Sequence, residues 1–148
     1  MNYPSFAKVF VSPFKPAALA AFGLIAFESG RAETFWLDQL DVSQTQQDWG
    51  QARKNKSVDG NALTIAGKKF ERGFGTHAKS ALEMELGERF ERFTANVGKD
   101  DESGAGGSVE FQIFGDGRKL WSSGVMRAGD IAKSVDVSLA GMKRLVLE

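Results

Sequence analysis

Val109-Glu110-Phe111-Gln112-Ile113-Phe114-Gly115-Asp116-Gly117 reads as a strand running into a tight turn, and it decides the fold class. Val109, Phe111 and Ile113 fall on one side and Glu110, Gln112 and Phe114 on the other, the period of two that a pleated strand imposes. Asp116-Gly117 suits the left-handed backbone of a two-residue hairpin turn, and Lys119-Leu120-Trp121 begins the return strand. Working outward, Ala81-Leu82-Glu83-Met84-Glu85-Leu86 alternates apolar and acidic residues, and residues 90–97 place Phe93, Ala95 and Val97 on one face. Residues 62–70 read as strand, glycine turn and strand; residues 134–139 and 144–147 add two more. Residues 35–40 read as a first strand, and residues 41–55, with four glutamines around Trp49, as a long loop. About eight short strands, with turn signals every 8–12 residues or so, predict an all-β antiparallel sandwich or barrel.

The chain has 148 residues, enough for one domain with its own core. Lys and Arg number 19 and Asp and Glu 19, so the basic footprint of a nucleic-acid binder is missing. There is no cysteine, which excludes disulfides and thiolate metal sites. Lys8 and Lys15 precede an apolar run over residues 16–27, and small residues follow at Gly30 and Ala32. These are the parts of a secretory signal peptide over residues 1–32, with a domain over 33–148 that is secreted, periplasmic or on the cell surface. The run is shorter than the roughly 20 residues needed to cross a bilayer, so the mature chain is expected to have no membrane span. A buried or amphipathic helix and a retained anchor are the alternatives. The close, Leu145-Val146-Leu147-Glu148, is mid-strand in character and reads as an edge strand or as part of a longer protein.

Several runs are similar to one family in order. They are Ser57-Val58-Asp59-Gly60; Gly73-Phe74-Gly75-Thr76-His77-Ala78; Phe93-Thr94-Ala95-Asn96-Val97-Gly98-Lys99-Asp100-Asp101; Gly107-Ser108-Val109-Glu110-Phe111; and Asp116-Gly117-Arg118-Lys119-Leu120-Trp121. Together they resemble the NPCBM domain, the carbohydrate-binding module that overlaps module family 51. The resemblance implies a galactose-binding-like β-sandwich of jelly-roll type. It also implies non-catalytic binding of galactose-type glycans, and attachment to a glycoside hydrolase or surface protein. The family continues past the last Leu-Val-Leu strand, so the domain is expected to lack its C-terminal segment.

Sugar sites on β-sandwiches combine an aromatic face for the C–H patch with a few fixed polar groups for hydroxyls. His77, the only histidine, donates and accepts and suits an axial hydroxyl; Gly73 and Gly75 let the backbone approach closely beside Thr76. A lone histidine serves equally as a tie between loops. Asp100 and Asp101 can accept from sugar hydroxyls or supply oxygen ligands to a structural Ca²⁺, or one of them caps a turn. Trp49, in its polar loop, suits a stacking platform, although core packing is the ordinary role of a tryptophan. Adjacent carboxylates do not make the opposed pair of a glycoside hydrolase, and His77 has no evident nucleophile partner. The second reading is a structural or protein-interaction sandwich with the fold and no sugar site. An exposed aromatic beside His77 favours the first; a His77 buried in hydrogen bonds with no adjacent groove favours the second.

Overall fold

The Asp116-Gly117 turn has the backbone the sequence demands, with φ of 48° and 78°. It joins β10 (Val109–Gly115) to β11 (Arg118–Met126). The computed structural model describes residues 34–148 and, as backbone pairing only, residues 5–7 and 10–14. Residues 5–7 and 10–14 lie inside the segment read as a signal peptide, residues 1–32, and pair with strands of the domain; the apolar run of that segment, residues 16–27, lies outside the described residues.

Among the described residues, all regular structure apart from two single-turn 3₁₀ helices is strand. β1 (Ser5–Ala7), β2 (Phe10–Phe14), β4 (Arg53–Lys54), β7 (Phe74–His77), β9 (Phe90–Lys99) and β12 (Lys133–Ser138) form one sheet, in the order β12-β9-β1-β7-β4 with β2 also along β9. β3 (Gln46–Gln47), β8 (Ser80–Glu85), β13 (Arg144–Leu147), β10 and β11 form the second, in the order β11-β10-β13-β8-β3. β5 (Leu63–Ile65) and β6 (Lys68–Phe70) are a separate hairpin, turned at Ala66-Gly67. All pairings among the described residues are antiparallel.

Alternation becomes burial. Phe93, Ala95 and Val97 of β9, Val135 and Val137 of β12, Ile113 of β10 and Leu145 of β13 meet between the sheets, with Leu37, Leu86, Met126 and Leu139 closing the core. Glu83 and Glu85 of β8 face solvent while Leu82 is buried. At about 25 cal/mol per Å² of apolar surface, each large core side chain contributes about 2 kcal/mol, enough to fix the register of the strands that carry it.

Three details differ from the sequence reading. Eleven strands, not about eight, lie within residues 34–148, because the glutamine-rich loop forms two short strands, β3 and β4, against β8 and β7, and Phe74–His77 is itself a strand, β7. Residues 35–40 are not a strand: Leu37–Gln39 is a 3₁₀ turn, in which the Gln39 carboxamide accepts from the Trp36 N–H at 2.7 Å. Here local hydrogen bonding wins over apolar content, and Trp36 is held outside the sheets by the Arg72 guanidinium 4.5 Å above its ring. Finally, β13 is not an edge. It is the middle strand of its sheet, between β10 and β8.

Candidate functional site

The four residues of β7 are all buried, which places Thr76 and His77 inside the sheet. The glycine in this run serves the fold. A Cβ on Gly75 would strike the Lys56 carbonyl oxygen and come within 2.8 Å of the Ser57 Cα. The close approach is therefore to the chain's own Ser57-Val58-Asp59-Gly60 turn. That turn is tied by Gly60 N–H to the Ser57 carbonyl and by Asn61 N–H to the Ser57 hydroxyl, each at 3.0 Å.

His77 is 6% exposed and Trp49 is 45% exposed; their ring centroids are 5.7 Å apart with planes at 60°. The histidine thus lies beneath the tryptophan instead of beside open solvent. The link is made by Gln47, a residue the sequence reading passed over among the loop glutamines. Its Oε1 accepts from the Thr76 hydroxyl at 2.7 Å, while its Nε2 donates to the Trp49 carbonyl at 2.7 Å. One carboxamide fixes the Trp49 loop to β7. A cavity of about 630 Å³ opens beside this cluster, lined by Gln47, Asp48, Thr76, Phe74, Phe93 and Phe111 among others.

Asp100 and Asp101 follow β9 and belong to different work. Asp100 is 2% exposed. Its oxygens accept from Thr64 N–H at 3.0 Å and Glu102 N–H at 3.1 Å, the second bond capping the 3₁₀ turn Asp101–Ser103. Asp101 accepts from Ala66 N–H and Gly67 N–H, each at 2.8 Å. Together the two carboxylates pin the β5–β6 hairpin to the end of β9. Burial pushes the Asp100 carboxyl above its ordinary pKa against those two amide bonds, and burial pulls the Lys99 ammonium below its own. Lys99 is also 2% exposed, and its Nζ donates to the Gly104 carbonyl. All four carboxylate oxygens face a backbone N–H, and among the described residues no group of three or more His, Cys, Asp or Glu side chains is placed to hold a metal ion.

The second polar knot is Asp38, whose side chain is 8% exposed. It accepts from Arg72 at 2.9 and 3.1 Å and from the Asn55 carboxamide at 3.0 Å. Asn55 Oδ1 accepts in turn from Gly73 N–H at 2.9 Å, so the knot anchors the entry to β7. Among the described residues no helix is long and apolar enough to cross a membrane.

Two antiparallel sheets joined by these loop ties define a galactose-binding-like β-sandwich. The chain belongs to the NPCBM/NEW2 domain family, whose model matches residues 33–148. It is similar to the family 51 carbohydrate-binding module of a Clostridium perfringens GH95 protein, whose structure was solved with methyl-galactose. That match has TM-score 0.70 and 31% identity, covering 76% of this chain and 83% of the other. The second family 51 module of Clostridium perfringens ZmpB, solved with its INT domain, gives TM-score 0.69 and 27% identity over 76% of this chain and 26% of that one. Alpha-1,3-galactosidase B of Akkermansia muciniphila is 38% identical over 107 residues, 70% of this chain. The chain spans only 14% of that relative.

Proposed function

We propose that the domain binds a terminal galactose-type sugar without catalysis, at the outer face of Trp49, and holds an associated glycoside hydrolase or surface protein on its glycan. The observation that carries this reading is Trp49 itself: an exposed aromatic ring, fixed through Gln47 to β7 and seated over His77 beside an open cavity. The ring offers a flat apolar surface to sugar C–H groups, and Asp48 and Gln47 at the cavity wall offer acceptors and donors for hydroxyls. His77 acts from below as a positioning residue for the ring. A shallow site of this kind suits weak binding, millimolar to high micromolar, or roughly −4 to −6 kcal/mol. Kinship with a module solved on methyl-galactose and with a galactosidase supports the sugar class. An exported setting agrees with a ligand found on extracellular polysaccharide.

Titration of the full chain with methyl-galactoside, read by tryptophan fluorescence and by amide shifts, tests the reading. Saturable changes at Trp49 and Gln47, lost in Trp49→Ala with the fold intact, are the expected outcome. A folded chain that ignores a panel of galactose-terminated glycans would transfer the domain to protein interaction.

A further inference from the structure

The outer face of the five-stranded sheet carries a row of four side chains whose order matters. Phe114 of β10 is paired with Lys119 of β11 on one side and with Val146 of β13 on the other, and Val146 is paired with Glu83 of β8. Across the strands the row is therefore a cation, two apolar side chains and an anion. Lys119 and Glu83 are exposed. Phe114 and Val146 are half-buried and, unlike their inward neighbours Ile113 and Leu145, pack into none of the core clusters. The Lys119 ammonium lies 5.5 Å from the Phe114 ring centroid, and Arg144 Nη1 donates to Glu83 Oε1 at 2.9 Å. Toward the hairpin turn, the same alternation puts Asp116 opposite Arg144, whose carbonyl accepts from the Asp116 N–H at 3.0 Å. Both of these side chains are exposed too. In each row a cation and an anion stand at equal distances on either side of the line between β10 and β13.

A charge pattern that inverts across a line is complementary to itself under a two-fold axis laid along that line. Rotation about an axis parallel to the strands, between β10 and β13, brings Lys119 of each copy over Glu83 of the other. The same rotation sets Phe114 over Val146 and Asp116 over Arg144. An axis across the strands instead stacks Lys119 on Lys119 and Glu83 on Glu83, and like charges facing each other are penalised. Sheets meeting face to face keep their strands within about 30° of one another and lie about 10 Å apart, which the strand-parallel axis satisfies.

We infer that the outer face of β11-β10-β13-β8 is a self-association surface, on which a second copy of this chain packs about the strand-parallel axis. Burial of Phe114 and Val146 supplies the attraction. The charges set the orientation, because exposed ion pairs add little attraction of their own. Four strands by about five residues make a face on the order of 300 Å² per copy, against about 800 Å² in a stable interface. The contact is therefore weak and forms where copies are crowded. The axis leaves the strand direction unchanged, so the Trp49 loops, seated over His77 at the end of β7, lie at the same end of the pair. On the sugar reading above, on which this consequence alone rests, the pair is bivalent toward one glycan surface, and joined weak sites bind far more tightly than either.

Sedimentation equilibrium and amide shifts of the full ¹⁵N-labelled chain, followed up to millimolar concentration, test the surface with two exposed variants, Lys119→Glu and Glu83→Lys. The wild type is expected to associate reversibly, with concentration-dependent shifts at Phe114 and Val146. Each variant alone should weaken association at least tenfold. An equimolar mixture of the two should restore it, because one then presents two acids and the other two bases. A wild type that stays monomeric, shifts that map to another surface, or a mixture no stronger than either variant would overturn the proposal. Methyl-galactoside is absent from these measurements. A folded monomer that binds it in the titration above therefore sinks the dimer alone, and a dimer that ignores it keeps the surface and sinks the sugar reading.

Discussion

The Trp49 ring sits over the His77 imidazole at 5.7 Å, one residue half in solvent and the other closed off beneath it. Gln47 ties the Trp49 loop to β7 through the Trp49 backbone carbonyl, so this tie survives a change of the tryptophan side chain. Recognition and stability are thereby separable at this position.

Trp49→Ala is accordingly expected to weaken binding of methyl-galactoside at least about tenfold, about 1.4 kcal/mol, and to shift the melting temperature little. Trp49→Phe keeps a smaller stacking face and falls between. Gln47→Ala releases both loop ties and lowers affinity while Trp49 is still present. Calorimetric titration of the three variants beside thermal melts separates these effects; a large stability loss in Trp49→Ala would make the ring a core residue.

The carboxylate pair after β9 carries a second prediction. Asp101→Ala removes the acceptor for two backbone N–H groups at the β5–β6 turn and is expected to cost about 1–2 kcal/mol, as loss of a helix cap does. Exchange at Ala66 and Gly67 should quicken more than exchange in β9. Melting curves with calcium and with chelator should superimpose, since the four oxygens are already engaged by amides; a calcium-dependent rise would assign the loop to a cation.

How far the sequence could be read follows from where the information sits. Strands whose partners are near in sequence, such as β10 and β11 about Asp116-Gly117, announce themselves by period and turn chemistry. So do β8 and β9, whose apolar alternation matches one buried face. Gln46–Gln47 and Arg53–Lys54 carry no such period; they become strands only because β8 and β7 offer edges to them. Trp49 and His77 were both named as site residues, but nothing in their spacing says that they touch, since the contact comes from a long-range pairing of β3 with β8. Asp100 and Asp101 have the composition of a ligand loop, and only the hairpin lying against them shows that amides take their oxygens.

Acid titration gives a third prediction, with opposite signs at two carboxyls. Burial works against ionising Asp38, but the bonds from Arg72 and Asn55 outweigh it and hold its carboxyl below 3.8. Its contribution is present above that value and is lost as the pH falls through the lowered native one. Asp100 is held above 3.8 by burial, so charging it costs native stability as the pH rises from 3.8 through its raised value. Asp38→Asn should therefore lose more stability near pH 7 than near about pH 3, with a shallower acid limb than wild type. Denaturant midpoints across that range decide it; a pH-independent loss would reduce the Asp38–Arg72 contact to packing.

Gly75→Ala tests what the glycine run is for. If Gly75 were there to admit a ligand, alanine would spare the fold and reduce binding. The structure instead puts the Lys56 carbonyl and the Ser57 Cα where the methyl group must go, and Ser57 is itself fully buried with its hydroxyl and carbonyl committed to Asn61 and Gly60. Backbone cannot step aside as a flexible side chain can, so the β4–β7 pairing at Arg53 and Gly75 must open. The cost is expected to reach about 3 kcal/mol, the upper range for overpacking. Gly98→Ala is the internal comparison. There the methyl group meets only the Ile65 side chain, at 2.6 and 2.9 Å, which a rotamer change in the β5–β6 hairpin relieves in part. Chemical denaturation should rank Gly75→Ala as the more damaging of the two; the reverse order would mean that the turn at Ser57 yields more readily than the packing of Ile65.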